Sequence, residues 1–130
     1  MRRDLKTFGL AVVIAVVLLV PRPAHAATPG PCLQGLLPSG ALSLVCLPST
    51  GWNGQLVVFA HGYVAPGQPL DFFHLTLPDG TSLPLLTQSL GYAFATTSYR
   101  RNGLVILEGE DDIRQLVAQS SFIPSLCEPM

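Results

Sequence analysis

Apolar residues fall into a few runs whose spacing predicts different elements. Residues 55–60, Gln-Leu-Val-Val-Phe-Ala, are almost continuously apolar, follow Gly54 and end in His61-Gly62-Tyr63. A Leu/Val/Phe run without polar alternation predicts a strand covered on both faces, as in a parallel sheet. Residues 40–48 alternate imperfectly and predict an earlier strand that stops at Pro48. With Asn53-Gly54 supplying residues that tolerate positive φ, these two strands predict an N-terminal β-hairpin leading into the sheet. Residues 92–99, Tyr-Ala-Phe-Ala-Thr-Thr-Ser-Tyr, predict a third strand.

Between the second and third of these strands, Ser82 can cap a short helix with Pro84 in its first turn. Leu83, Leu86 and Leu90 then share one face, and Gly91 ends the helix. Strand, helix and strand at this spacing predict a βαβ crossover, and so parallel pairing. Residues 104–107 fit a loop or a strand equally. After them, Glu110, Asp111 and Asp112 fit the first turn of a helix, where the helix dipole favours carboxylates. Ile113, Leu116 and Val117 mark its buried face and Pro124 its end. The fold class is α/β, with a partial parallel-type sheet.

The intervening segments set the organisation. Residues 27–39 are rich in Pro and Gly and predict an extended lead-in. Residues 63–81 form a long loop punctuated by Pro66-Gly67, Pro69 and Pro78-Asp79-Gly80, and loops of this length are often functional. The domain proper is expected over residues 40–123, and residues 124–130 have no periodicity and no assigned role.

At the N-terminus, Arg2, Arg3 and Lys6 precede an apolar stretch over residues 8–20. Its length of about 13 residues falls short of the roughly 20 that span a bilayer. Ala24-His25-Ala26 then offers a small-x-small cleavage site before Ala27, so residues 1–26 read as a signal peptide. This predicts a secreted or periplasmic protein with no stable membrane anchor after cleavage. An uncleaved anchor is the alternative, and Arg2-Arg3 also permits a twin-arginine route. Cleavage removes Arg2, Arg3, Lys6 and Arg22, leaving Arg100, Arg101 and Arg114 against Asp71, Asp79, Glu108, Glu110, Asp111, Asp112 and Glu128. The mature chain is acidic and lacks a basic stripe, which argues against nucleic acid as a partner.

Cys32 and Cys46 lie close together in an exported segment and predict a disulfide worth roughly 3 kcal/mol, with two free thiols as the alternative. Cys127 is left over, either for a partner beyond the tail or as a reactive thiol. His61, His74 and the cysteines show no metal-ligand spacing, so no metal and no cofactor is expected.

The run over residues 55–63 with its His-Gly, Gly91-Tyr92-Ala93 opening a strand that ends in Ser98-Tyr99-Arg100, and the acidic helix with Asp111-Asp112 resemble the N-terminal part of an α/β-hydrolase. The likeness is to secreted serine hydrolases of the esterase and prolyl-oligopeptidase-like branches and covers about half the chain. It implies that these elements are the third strand, its oxyanion loop, the first helix, the fourth strand and the second helix, with the nucleophile strand following. The G-x-S-x-G turn of that strand is absent from the 130 residues.

By this resemblance His61, Gly62 and Tyr63 form the oxyanion loop. The Tyr63 backbone N–H is the donor, Gly62 permits the sharp turn, and His61 braces the loop without acting as general base. No catalytic residue is assigned. Ser89, in Thr87-Gln88-Ser89-Leu90-Gly91, lacks the first glycine of the motif and sits at a helix end, and His74 has no defensible Ser-Asp partners. Tyr99-Arg100 reads as a solvated strand end. The implied function is that of the N-terminal fragment of a hydrolase whose complete form acts on a small-molecule ester or peptide, inactive on its own. A small secreted, disulfide-stapled binding or structural module is the alternative.

Replacing Ala26 with Phe puts a bulky side chain where the peptidase requires a small one. The intact mass of the exported protein should show the Ala27 N-terminus in the native sequence and its loss in the Ala26→Phe variant. Cleavage at Ala27 in the variant excludes this site.

Overall fold

A computed structural model describes residues 26–121. Apart from Ala26, the expected signal peptide lies outside the described residues, as do the tail over 124–130 and Cys127. The elements are β1 (Cys32–Leu36), β2 (Leu42–Cys46), β3 (Leu56–Phe59), α1 (Leu83–Ser89), β4 (Ala93–Thr97) and α2 (Ile106–Ser120). The strands form one sheet in the order β1-β2-β4-β3, in which β1 and β2 pair antiparallel, β2 and β4 antiparallel, and β4 and β3 parallel. The expected β3-helix-β4 crossover is therefore present and the fold is mixed α/β, but the expected parallel-type sheet is corrected: only the β3-β4 pairing is parallel, and the other two are antiparallel.

The hairpin differs from expectation. β2 does not pair with β3; its hairpin partner is β1, which lies inside the segment expected to be an extended lead-in. Pro31 and Pro38 punctuate this segment, but the five residues Cys32 to Leu36 between them keep every amide and can pair. Gly40, at φ 85°, takes the left-handed position of the turn, and Leu37 N–H donates to Ala41 O at 2.8 Å. The Asn53-Gly54 turn instead leads β2 away from its neighbour and into β3.

The strand buried on both faces is β4, whose five residues are all buried; β3 is a half-exposed edge strand. Side-chain alternation along β4 separates two apolar clusters. Ala95 joins Leu37, Ala41 and Leu116 of α2, with Val45, Leu56 and Val58 packed around them. Phe94 joins Leu44 and Cys46, with Phe59, Phe72, Leu75 and Leu83 of α1 against them. Adjacent strand residues point to opposite faces, so α1 and α2 cover opposite sides of the sheet.

The helices bury faces that apolar spacing did not predict. In α1, Leu86 and Leu90 are exposed, while Pro84 and Gln88 are buried. The Gln88 carboxamide accepts the Gly30 N–H at 2.7 Å, so a polar side chain takes the inner position by tethering the chain ahead of β1. Gly91 ends α1 as expected: its φ is 86°, and a Cβ there would approach Gly51 O to 3.0 Å. The ambiguous segment resolves into the start of α2 at Ile106, which places Glu108 in the first turn and Asp111 and Asp112 a turn further in. Leu116 is buried as expected, whereas Val117 is exposed and Asp112 is buried in its stead.

Cys32 and Cys46 are a register pair and are joined by a disulfide. All five β1 residues are exposed, Leu33 and Leu36 included, so apolar burial does little to hold the strand. A link across 14 residues contributes roughly 3 kcal/mol on the chain-entropy account. Cys32→Ser is expected to lower unfolding stability by about that amount and to raise hydrogen exchange at β1 amides above that at β4. Unchanged β1 protection in the variant would show that the ladder alone holds the strand.

Candidate functional site

His61 follows the C-terminal end of β3 and is buried, and the chain beyond it turns outward so that Gly62 and Tyr63 are exposed. Three separate donors hold the carbonyls of this loop. The Tyr99 hydroxyl donates to His61 O at 3.1 Å, the His61 ring Nδ1 donates to Gly62 O at 2.8 Å, and the Gly103 amide donates to Val64 O at 2.9 Å. The amides of Gly62 and Tyr63, by contrast, donate to no acceptor among the described residues. Of the carbonyls from His61 to Val64 only that of Tyr63 is unengaged, so the loop presents chiefly donors.

The bond to Gly62 O places the His61 proton on Nδ1 and leaves Nε2 as an acceptor, buried and without a partner among the described residues. The ring packs between two aromatic side chains, with centroids 4.3 Å from Tyr99 and 5.8 Å from Phe73. Phe73 comes from the long loop expected over residues 63–81, which gives that segment a structural task at the site.

Gly62 does not have a positive φ, and a Cβ there would meet nothing within 4 Å. Its expected role in permitting the turn is therefore corrected: neither backbone conformation nor packing against the described residues requires glycine. The strained residue is Tyr99, at φ 57°, a left-handed conformation that costs a bulky side chain on the order of 1–3 kcal/mol.

Asp112 holds that turn in place. Its side chain is fully buried and accepts the Arg100 amide at 2.7 Å and the Arg100 Nε and Nη2 at 2.9 and 2.6 Å. The same Arg100 Nη2 pairs with Asp111, which also accepts a hydrogen bond from Gln115 at 2.8 Å. Tyr99-Arg100 is thus not a solvated strand end but a turn clamped onto α2. Burial pushes the Asp112 carboxyl up, but hydrogen bonds from Arg100 and Ser39 outweigh it and hold the group below the usual carboxylate range. Burial, and then the Asp112 charge, push the Tyr99 phenol up, which keeps it protonated as a donor to the loop.

Beside the loop lies a cleft of about 350 Å³ lined by His61, Gly62 and Tyr63 on one side and Leu104, Ile106 and Ile113 on another. Gly109 contributes bare backbone to it, and a Cβ there would touch the Tyr99 ring at 3.5 Å. A larger hollow of about 550 Å³ lies against the β1-β2 hairpin and borders none of the expected site residues. His74 is exposed on its own loop, and the Ser89 hydroxyl donates to Leu86 O within α1. Among the described residues no group of three or more His, Cys, Asp or Glu could hold a metal, and no helix is long and apolar enough to cross a membrane.

The expected trio His61, Gly62 and Tyr63 is thus contiguous at one cleft, and the structure adds Tyr99, Phe73, Gly103 and Asp112 as the groups that fix it. A tyrosine directly after a buried strand, followed by arginine and a later Asp-Asp pair, was the available signal for the clamp. Nothing in the sequence marked Phe73. Comparisons with family models, curated proteins and solved structures return no match.

Because the Asp112 carboxyl is held below its unfolded value of about 3.9, its contribution to stability is present above that pH and is lost as pH falls through the folded value. Thermal melts from pH 7 down to pH 2 should show the native protein losing stability below about pH 4. Asp112→Asn should be less stable at neutral pH by about 2 kcal/mol and should lose less on acidification. Parallel curves for the two proteins would remove Asp112 from this role.

Proposed function

We propose that this chain is the N-terminal portion of an exported serine hydrolase of the α/β-hydrolase superfamily. In its complete form the protein would cleave a small-molecule ester or peptide; the chain alone is inactive. One observation carries this reading: the loop after β3 has every carbonyl from His61 to Val64 engaged except that of Tyr63, while the amides of Gly62 and Tyr63 are free and exposed. Donors fixed in place before reaction suit a developing oxyanion, where one such group is worth about 3 kcal/mol.

The sheet supports the same reading. β3 and β4 run parallel with α1 between them, and the outer edge of β3 is unpaired among the described residues. A further parallel strand added at that edge would end beside His61-Gly62-Tyr63, and a nucleophile on the turn after it would face the free amides. Without that nucleophile and a base, donors alone form no acyl-enzyme, and the 130 residues hold no G-x-S-x-G. The Cys32–Cys46 disulfide suits the oxidising compartment that secretion or periplasmic export would supply. The same disulfide, stapling an otherwise exposed strand, favours the second reading, a small binding or structural module without catalysis.

The coding sequence after codon 130, read in all frames, should contain G-x-S-x-G followed by an Asp and a His codon. The exported chain alone should take no fluorophosphonate label, and co-expression with the downstream segment should restore labelling. Absence of the motif in every frame, with a monodisperse and cooperatively melting monomer, would establish the second reading. Labelling of the chain alone would overturn the claim that its nucleophile lies elsewhere.

A further inference from the structure

At the edge of the sheet opposite β3, β1 has none of the charges or prolines that usually blunt an edge strand. Its residues are Cys-Leu-Gln-Gly-Leu, and Leu33 and Leu36 are 65% and 64% exposed. The neighbouring pairings fix which backbone groups face outward. Leu42 O accepts the Ser98 N–H, so Leu42 turns its groups to β4, and its register partner Leu36 turns its own away from β2. Leu37, one residue on, donates to Ala41 O. The alternation of an antiparallel ladder then sends the amides and carbonyls of Cys32, Gln34 and Leu36 outward and those of Leu33 and Gly35 toward β2. Side chains alternate as well. A Cβ on Gly35 would lie 3.9 Å from Gln119 Nε2 of α2, so Gly35 and Leu33 share the face that α2 covers. There Leu33, Gly35, Val45 and Gln119 line the hollow of about 550 Å³.

We infer that a second copy of this chain occupies this edge, its β1 antiparallel to the first about a two-fold axis at Gln34, joining two four-stranded sheets into one. In that register Gln34 meets the partner's Gln34 and Cys32 meets the partner's Leu36. Every outward residue of one strand then exchanges both backbone hydrogen bonds with an outward residue of the other. Sliding the copies by two residues loses this match, because Gly30 or Pro38, outside the strand, would face an outward residue. The same register sets Leu33 beside the partner's Gly35, in the closely spaced pairs of the ladder. Glycine leaves room there for a leucine, which packs at the rim of the hollow, and the two-fold axis repeats the contact. With no charge on either strand, no like pair opposes the pairing. The inference does not rest on the hydrolase reading, whose further strand belongs at β3.

Sedimentation equilibrium of the exported chain, from about 1 μM to about 1 mM, should give a monomer–dimer equilibrium with a Kd of about 100 μM or tighter, as suits a small interface. Hydrogen exchange should show the amides of Cys32, Gln34 and Leu36 gaining protection as concentration rises, while those of Leu33 and Gly35 stay protected throughout. Gln34→Pro deletes an outward amide that β2 does not use, and Leu33→Lys sets two cations across the two-fold axis. Each should weaken the dimer by at least about tenfold. Unchanged β4 amide protection reports that each variant is folded. Val57→Lys, at an exposed position of β3, should leave the dimer intact. A chain that stays monomeric over this range, a dimer in which the three amides exchange freely, or a dimer that folded Gln34→Pro and Leu33→Lys leave unweakened would each overturn the inference. Dissociation by Val57→Lys would place the contact at β3, and a monomer whose three amides are protected would place another segment of its own chain on the edge; both outcomes overturn it as well.

Discussion

The grip of the Asp112 carboxylate on the turn after β4 is the interaction on which the site depends. A fully buried carboxylate is tolerated only when its oxygens are satisfied, and here the Arg100 amide and guanidinium satisfy them. That contact holds the backbone at Arg100 and thereby keeps Tyr99 in a left-handed conformation it would not otherwise adopt. So placed, Tyr99 brings its hydroxyl to His61 O and its ring against the imidazole. The strain at one strand end is thus offset by an ion pair to a helix, and the result is an ordered loop at the end of the neighbouring strand.

The same clamp builds the cleft. α2 begins at Ile106, close behind the turn, and Asp112 anchors it about two helical turns in, so the first turns of α2 are fixed relative to the loop after β3. Gly109 keeps this part of the helix free of a side chain where it faces the Tyr99 ring. On the sheet below, the small residues Ala93 and Ala95 face α2, and Phe94 fills the opposite side under the short α1. A central strand with alanines toward one helix and phenylalanine toward the other sets how closely each helix approaches.

β3 is linked to this core mainly through β4. Beyond the parallel ladder, the Thr96 hydroxyl donates to Phe59 O at 2.8 Å and Phe59 stacks on Phe94 with centroids 6.4 Å apart. These contacts hold the end of the edge strand, from which the donor loop projects. The far edge of β3 presents unpaired backbone groups among the described residues, which is a position open to a further strand.

Local chemistry alone determined several parts of this protein. Residues 55–60 and 92–99 contain strands, a helix joins them, Gly91 ends that helix, and Cys32 and Cys46 pair. His61, Gly62 and Tyr63 were also legible, because an apolar run that breaks at His-Gly marks a strand end. Tertiary structure decided the rest. Apolar content marked residues 55–60 as the strand covered on both faces, but position in a sheet is a matter of pairing, and Ala93–Thr97 took an inner place by accepting partners on both edges. The prolines around Cys32–Leu36 concealed a strand whose existence depends on a partner and a disulfide supplied by β2. Gln88 and Asp112 are buried although polar, and Gly30 and Arg100, 58 and 12 residues away, donate to their side-chain oxygens. Periodicity registers how apolar a position is, whereas the burial of a polar group depends on a partner brought close only by the fold.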